Sequence, residues 1–120
     1  MNAVEQYVEQ YARARVVTDS PDANRAVPVV LRYDGRVHVR VPDADAVAPE
    51  SGEWTLPRDL LERGLRAPAS SGDIRVWPCG RVQTVIEFHA HDRATVVQFD
   101  AKTLIRFLRR THTAVTPATR

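Results

Sequence analysis

Val27-Pro28-Val29-Val30-Leu31-Arg32-Tyr33-Asp34-Gly35-Arg36-Val37-His38-Val39-Arg40-Val41 is the stretch that decides how this chain folds. Val27, Val29, Leu31 and Tyr33 share one face at a spacing of two, and Val37, Val39 and Val41 share a face on the return. Successive side chains of a strand point to opposite sides, so this alternation is the pattern of two strands each buried on one face. Asp34-Gly35 between them supplies a tight turn, because both central positions tolerate positive φ there.

Outward toward the N-terminus, Ala12, Ala14 and Val16 alternate with Arg13 and Arg15, which predicts a first strand over residues 10–18. Val4, Tyr7, Val8 and Tyr11 have helical spacing instead, so residues 1–9 are read as a lead-in to a single domain spanning 1–120. Asp19 to Asn24 and Pro42 to Gly52 are loops by composition. Outward in the other direction, Glu53 to Leu56 forms a fourth strand that Pro57 closes. Arg58 to Leu65 is a short helix burying Leu60, Leu61 and Leu65, with Gly64 expected at a left-handed cap. Gly72 to Pro78, Val82 to Ala90 and Ala94 to Asp100 read as further strands, and Ser70-Ser71-Gly72 as a linker. An amphipathic helix over 101–113 ends the pattern. Ala101, Leu104, Ile105, Phe107 and Leu108 are expected inward, Lys102, Arg106, Arg109 and Arg110 in water, and Asp100 at the N-cap. The order is four strands, a helix, three strands and a helix. The predicted class is α+β, with mainly antiparallel strands in a barrel-like pair of sheets.

A chain of 120 residues fits one domain whose core needs neither disulfide nor metal. Cys79 is the only cysteine, which excludes an internal disulfide and agrees with a reducing cytoplasm. The longest apolar run, Val27 to Leu31, is far below the roughly 20 residues of a membrane span, and Met1 to Glu9 lacks the pattern of an export signal. A soluble, cytoplasmic protein without membrane insertion is expected. Sixteen of the seventeen basic residues are arginine, the mark of a GC-rich genome, and a net charge of +2 does not by itself imply nucleic acid.

Catalytic chemistry has little to rest on. Glu87, His89 and His91 alternate on one strand face with Asp92 beyond, a spacing of about 6.6 Å from which imidazole and carboxylate can ligate a metal. The face ends in a turn, where solvated histidines are ordinary, so no metal or cofactor is assigned. Cys79 has no base beside it in the pattern, and Ser70-Ser71-Gly72 lacks the lysine and following helix of a phosphate loop.

The motifs carry a resemblance. Leu31-Arg32-Tyr33-Asp34 is followed by Glu53-Trp54-Thr55-Leu56-Pro57-Arg58-Asp59-Leu60-Leu61-Glu62-Arg63-Gly64-Leu65, then Pro68, Gly72-Asp73-Ile74-Arg75-Val76-Trp77-Pro78 and Phe107-Leu108-Arg109-Arg110-Thr111. In this order, over residues 12–117, the chain resembles the SsgA-like family of actinobacterial sporulation and cell-division proteins. The resemblance implies a Whirly-like domain that assembles as a homotrimer. It also implies a non-catalytic adaptor that helps position the division septum by binding other SsgA-like proteins and the tubulin-like FtsZ. The chain departs from the family at Pro57, where a small residue is common, and at its end, where an acidic segment is expected beyond the last helix.

Tyr33, Asp34, Arg58, Asp59, Leu60, Leu61, Gly64, Gly72, Asp73, Pro78, Phe107 and Leu108 are the family-motif positions expected to act structurally. Asp34 is read as the turn residue and Asp59 as a first-turn carboxylate, favoured by the exposed amides of a helix start. Trp54 and Trp77 are read first as sheet residues, although tryptophan is also a frequent binding hot spot. Trp54, Arg32, Arg40, Arg75 and Trp77 are the candidate partner-binding residues. The alternative function is a single-stranded nucleic-acid-binding module. Arg13, Arg15, Arg32, Arg36, His38, Arg40, Arg75 and Trp77 would supply phosphate attraction and base stacking from the sheet face. Glu87, Asp73 and Asp100 interrupt that face, so a solvated or trimer-packed arginine surface is the preferred reading.

Overall fold

Residues 7–17, 25–41, 53–90 and 93–115 are described by the computed structural model of the protein. The loops expected over 19–24 and 42–52 and the metal candidates His91 and Asp92 lie outside them. Alternation sets the strands: β1 (Val8–Val17), β2 (Arg25–Tyr33), β3 (Val37–Arg40) and β4 (Glu53–Leu56) precede helix α1 (Arg58–Gly64). β5 (Ala69–Ser71), β6 (Ile74–Cys79), β7 (Gln83–Ala90) and β8 (Arg93–Asp100) then lead into α2 (Ala101–Val115).

The strands form one eight-stranded sheet in the order β4-β3-β2-β1-β8-β7-β6-β5, and every pairing is antiparallel. This corrects the expected pair of sheets and the count of seven strands. The added strand is Ala69–Ser71, read from sequence as a linker. Ser71 pairs with Ile74 across a two-residue turn, Gly72-Asp73, in which Gly72 adopts φ 58°, a conformation that suits a residue without a Cβ. The first hairpin also differs in detail. Tyr33 pairs with Val37, so its turn holds three residues, Asp34, Gly35 and Arg36, and the Asp34 amide donates to the Arg36 carbonyl at 3.2 Å.

The sheet curls until β4, at one edge, reaches across to β7. β4 and β7 stand five strand spacings apart, on the order of 24 Å along a flat sheet. Yet Trp54 on β4 stacks on Phe88 of β7 with ring centroids 4.5 Å apart. The concave face is lined by Val29, Leu31, Val39, Leu56, Val76, Ile86, Val97 and Phe99, all buried, and α2 adds Leu104, Phe107 and Leu108 to the same core. Burial of side chains of this size is worth about 1.5–3 kcal/mol each, which is what holds the curl.

α1 follows one edge of the sheet and packs on β5 and β6 at the other edge, with Leu60 and Leu61 fully buried. Gly64 is required here for space, which corrects its expected role as a left-handed cap. The residue after it, Leu65, is right-handed at φ −72°, and a Cβ on Gly64 would lie 2.2 Å from Val76 Cγ1. On α2 the expected inward set loses Ile105, which is 38% exposed. The buried arc runs through Leu104, Phe107, Leu108 and Thr111, and Ile105 lies 100° round from Leu104 on its flank. Among the described residues no helix is long and apolar enough to cross a membrane.

Candidate functional site

Three of the family-motif residues, Tyr33, Arg58 and Asp59, meet at the junction of the first hairpin and α1. The chain leaves β4 through Pro57, whose extended backbone turns it into the helix, and Arg58 and Asp59 open the first turn. Tyr33 ends β2 directly opposite. A groove of about 480 Å³ lies between them, lined by Tyr33, Gly35, Arg36, Pro57, Arg58, Asp59 and Glu62. The Arg58 guanidinium carbon stands 5.3 Å from the centre of the Tyr33 ring, a cation over a π face. Its Nε is 4.0 Å from Glu62 Oε2, while Nη1 is buried with no hydrogen-bond acceptor among the described residues. Asp59 accepts a bond from Arg63 Nε at 3.0 Å, and Glu62 also accepts from His112 Nε2 of α2. The first-turn carboxylate is thus present as expected, but it pairs along its own helix and makes no side-chain cap.

Asp34 turns away from the groove to the convex face. There His38 Nε2 lies 2.8 Å from Asp34 Oδ1, and His38 Nδ1 lies 3.0 Å from Thr55 Oγ1 and 3.3 Å from Glu53 Oε2. The hydrogen bond from His38 holds the Asp34 carboxyl below its ordinary value. Arg32 Nη2 donates to Glu53 Oε2 at 2.5 Å. Its guanidinium is held above its ordinary value by bonds to Tyr7 and Glu53, with burial opposing.

The candidate partner-binding residues fall into three places. Arg32 and Arg40 lie on the convex side of β2 and β3, beside Glu53. Arg75 and Trp77 lie on β6, four strands from β2 in the sheet order. Trp54 is on the concave side, packed against the core through Phe88. Around Trp77 the convex face forms a bonded cluster of its own. Trp77 Nε1 donates to Glu87 Oε2 at 2.9 Å, and His89 Nε2 lies 3.1 Å from Glu87 Oε1. Burial pushes the Glu87 carboxyl up. The bonds from His89 and Trp77 and the charge of Arg75 more than offset it, so the group sits below its ordinary value. Val85 is buried on the convex face in the row Arg15-Gln98-Val85-Trp77.

Glu87 and His89 of the metal-ligand pattern therefore serve a strand-to-strand network. Among the described residues, no group of three or more histidine, cysteine, aspartate or glutamate side chains is placed to hold a metal. Cys79 is half-buried, with Gln98 Nε2 at 4.0 Å from its sulfur. Sequence reasoning missed Arg36 and Glu62 as groove residues. Glu62 stands four residues after Arg58, a helical i,i+4 spacing that could have found it; Arg36 carried no signal beyond its place in the turn.

Chemically, these surfaces offer fixed charges and aromatic faces. A family model described as Streptomyces sporulation and cell division protein, SsgA, matches residues 27–119. The sporulation-specific cell division protein SsgB of Streptomyces coelicolor is 36% identical over 107 residues, covering 83% of this chain and 76% of its own. SsgB of Salinispora tropica is 36% identical over 105 residues, covering 80% and 72%. A solved chain from work on SsgB mutations and longitudinal cell division in Streptomyces coelicolor superposes with a TM-score of 0.76 at 32% identity, covering 94% of this chain and 90% of that one. An SsgA-like sporulation-specific cell division protein from Thermobifida fusca gives a TM-score of 0.73 at 23% identity over 98% and 88%, a likeness of fold.

Proposed function

The chain belongs to the SsgA family of sporulation and cell division proteins, and from that premise we propose that it is a non-catalytic adaptor of actinobacterial cell division. It acts by binding other SsgA-like proteins, FtsZ or both, and so helps to position the septum, where it resides. The observation that carries this reading is the match of family and fold along nearly the whole chain, 94% of it against a solved SsgB. The groove supports it. Arg58 over Tyr33, with Arg36 and Glu62 at the rim, is a rigid polar surface suited to recognition.

Pull-down with purified SsgA-type, SsgB-type and FtsZ proteins tests the adaptor reading. Retention of at least one of them is expected, and no retention across the set overturns it. A homotrimer is part of the same proposal. The half-buried convex-face residues Val17, Val30 and Val96 offer apolar area that neighbouring copies can cover. Light scattering at micromolar concentration should give three times the 13.5 kDa of one chain, and the single-chain mass would refute the trimer.

A further inference from the structure

We propose that the solvent face of α2, together with the β6–β7 turn beside it, is a docking surface for an acidic segment of a partner protein that also carries an aliphatic side chain. The residues of α2 from Ala101 to Val115 include no aspartate or glutamate. Its inward arc is spent on the core, so the outward arc presents Lys102, Arg106, Arg109 and Arg110 in succession, all exposed. Lys102 and Arg106 take part in none of the ion pairs among the described residues, and Arg110 bonds to the Glu9 main-chain carbonyl and the Gln10 amide rather than to a carboxylate. Like charges three and four residues apart repel along a helix, and Lys102 in the first turn opposes the helix dipole. Lys102 and Arg106 therefore cost the fold a little rather than stabilise it, which is what a surface kept for a ligand looks like.

Two aliphatic side chains lie beside the charges. Val82 is 66% exposed in the turn after β6 and is tied to the start of α2 by the Ala101 amide, which donates to the Val82 carbonyl at 2.8 Å. Ile105, one turn beyond Ala101, is exposed as well. Cations flanking an aliphatic seat complement carboxylates flanking an aliphatic side chain. Single-stranded nucleic acid is a poorer fit because these exposed apolar residues, Val82 and Ile105, offer no ring for stacking. A membrane surface is poorer still, because Leu104, Phe107 and Leu108, which would have to insert, are already in the core.

The inference rests on the adaptor reading for the existence of a protein partner, and the experiment keeps the two apart. The probe is a labelled dodecapeptide of glutamate and isoleucine followed by fluorescence anisotropy, beside the same peptide with glutamine for glutamate, an oligo-dT strand and phosphatidylserine vesicles. The acidic peptide is expected to bind best, and about tenfold more weakly when salt rises from about 50 to about 300 mM. K102Q/R106Q should lose about tenfold, Ile105→Ser severalfold, and R13Q/R15Q nothing, with the thermal midpoints of the two double variants no lower than the parent's because all four positions are exposed. Equal binding of the glutamine peptide, an equal loss in R13Q/R15Q, or tighter binding of oligo-dT or vesicles at this face would overturn the proposal. Division partners retained by K102Q/R106Q as by the unsubstituted protein would also overturn it while leaving the adaptor reading intact. A protein that retains no division partner, yet binds the acidic peptide through Lys102 and Arg106, would sustain the docking face and sink the adaptor reading.

Discussion

The two helices bury leucines in the same core and treat their outer faces in opposite ways. α1 neutralises itself within one turn, Asp59 with Arg63 at 3.0 Å and Arg58 with Glu62 at 4.0 Å. α2 repeats one sign of charge along its outer arc and carries no acid at all. Each like-charge pair costs about 0.2–0.5 kcal/mol, whereas Leu104, Phe107 and Leu108 each return about 1.5–3 kcal/mol on burial. The difference teaches that the inward face of α2 supplies most of its hold, while Lys102 and Arg106 on the outer arc make no ion pair among the described residues. α1 is tied to its surroundings by Gly64 against Val76 and by Glu62 reaching His112, and balances its exposed charges with its own ion pairs.

Five substitutions test that contrast. Phe107→Ala should be the largest, about 3–5 kcal/mol, because a fully buried ring is removed from the face on which α2 depends. Chemical denaturation measures it, and a loss under about 1 kcal/mol would mean the helix has another anchor. Gly64→Ala is next. Propensity alone would favour alanine by about 1 kcal/mol, but the new methyl lies 2.2 Å from Val76 Cγ1 and 2.9 Å from the Val76 carbonyl oxygen. A net loss of about 1–3 kcal/mol is expected, and any gain in melting temperature would show that α1 is not clamped.

Glu87→Gln separates the sheet from both helices. The folded carboxyl lies below its ordinary 4.5, so its stabilisation is present above the unfolded value and is lost as pH falls through the folded one. The variant should lose about 1–2 kcal/mol at neutral pH, and the gap to the parent should narrow as pH falls below 4.5. A gap constant from pH 3 to 7 would exclude the charged network with Trp77 and His89. The smallest effects address the outer faces directly. At low salt Asp59→Asn should cost about 0.3–0.5 kcal/mol, and Arg106→Glu should stabilise by a similar amount, both vanishing in about 1 M salt. If Arg106→Glu destabilises instead, the two helix surfaces are not built differently.

Much of this was legible along the chain. The alternation at Val29, Leu31, Val37 and Val39 placed those side chains on the buried face where the structure has them, and Leu104, Phe107 and Leu108 placed α2. The Ala69–Ser71 strand was not seen because its side chains are small and carry no hydrophobic alternation. Its turn, Gly72-Asp73, was the one available signal. The candidate binding residues were named as a set, yet the structure spreads them over β2, β3, β4 and β6.

What the sequence by itself determined is local: the faces of the strands, the amphipathic arc of α2 and the motif string that marks the family. These follow from spacings of two and of 3.6, which act between near neighbours. Only the tertiary structure decided that one sheet curls until Trp54 reaches Phe88, that Gly64 is needed for Val76, and that Ile105 stays in water. Those outcomes depend on contacts between residues far apart in the chain, where curvature and packing volume, rather than any residue's own preference, select the arrangement.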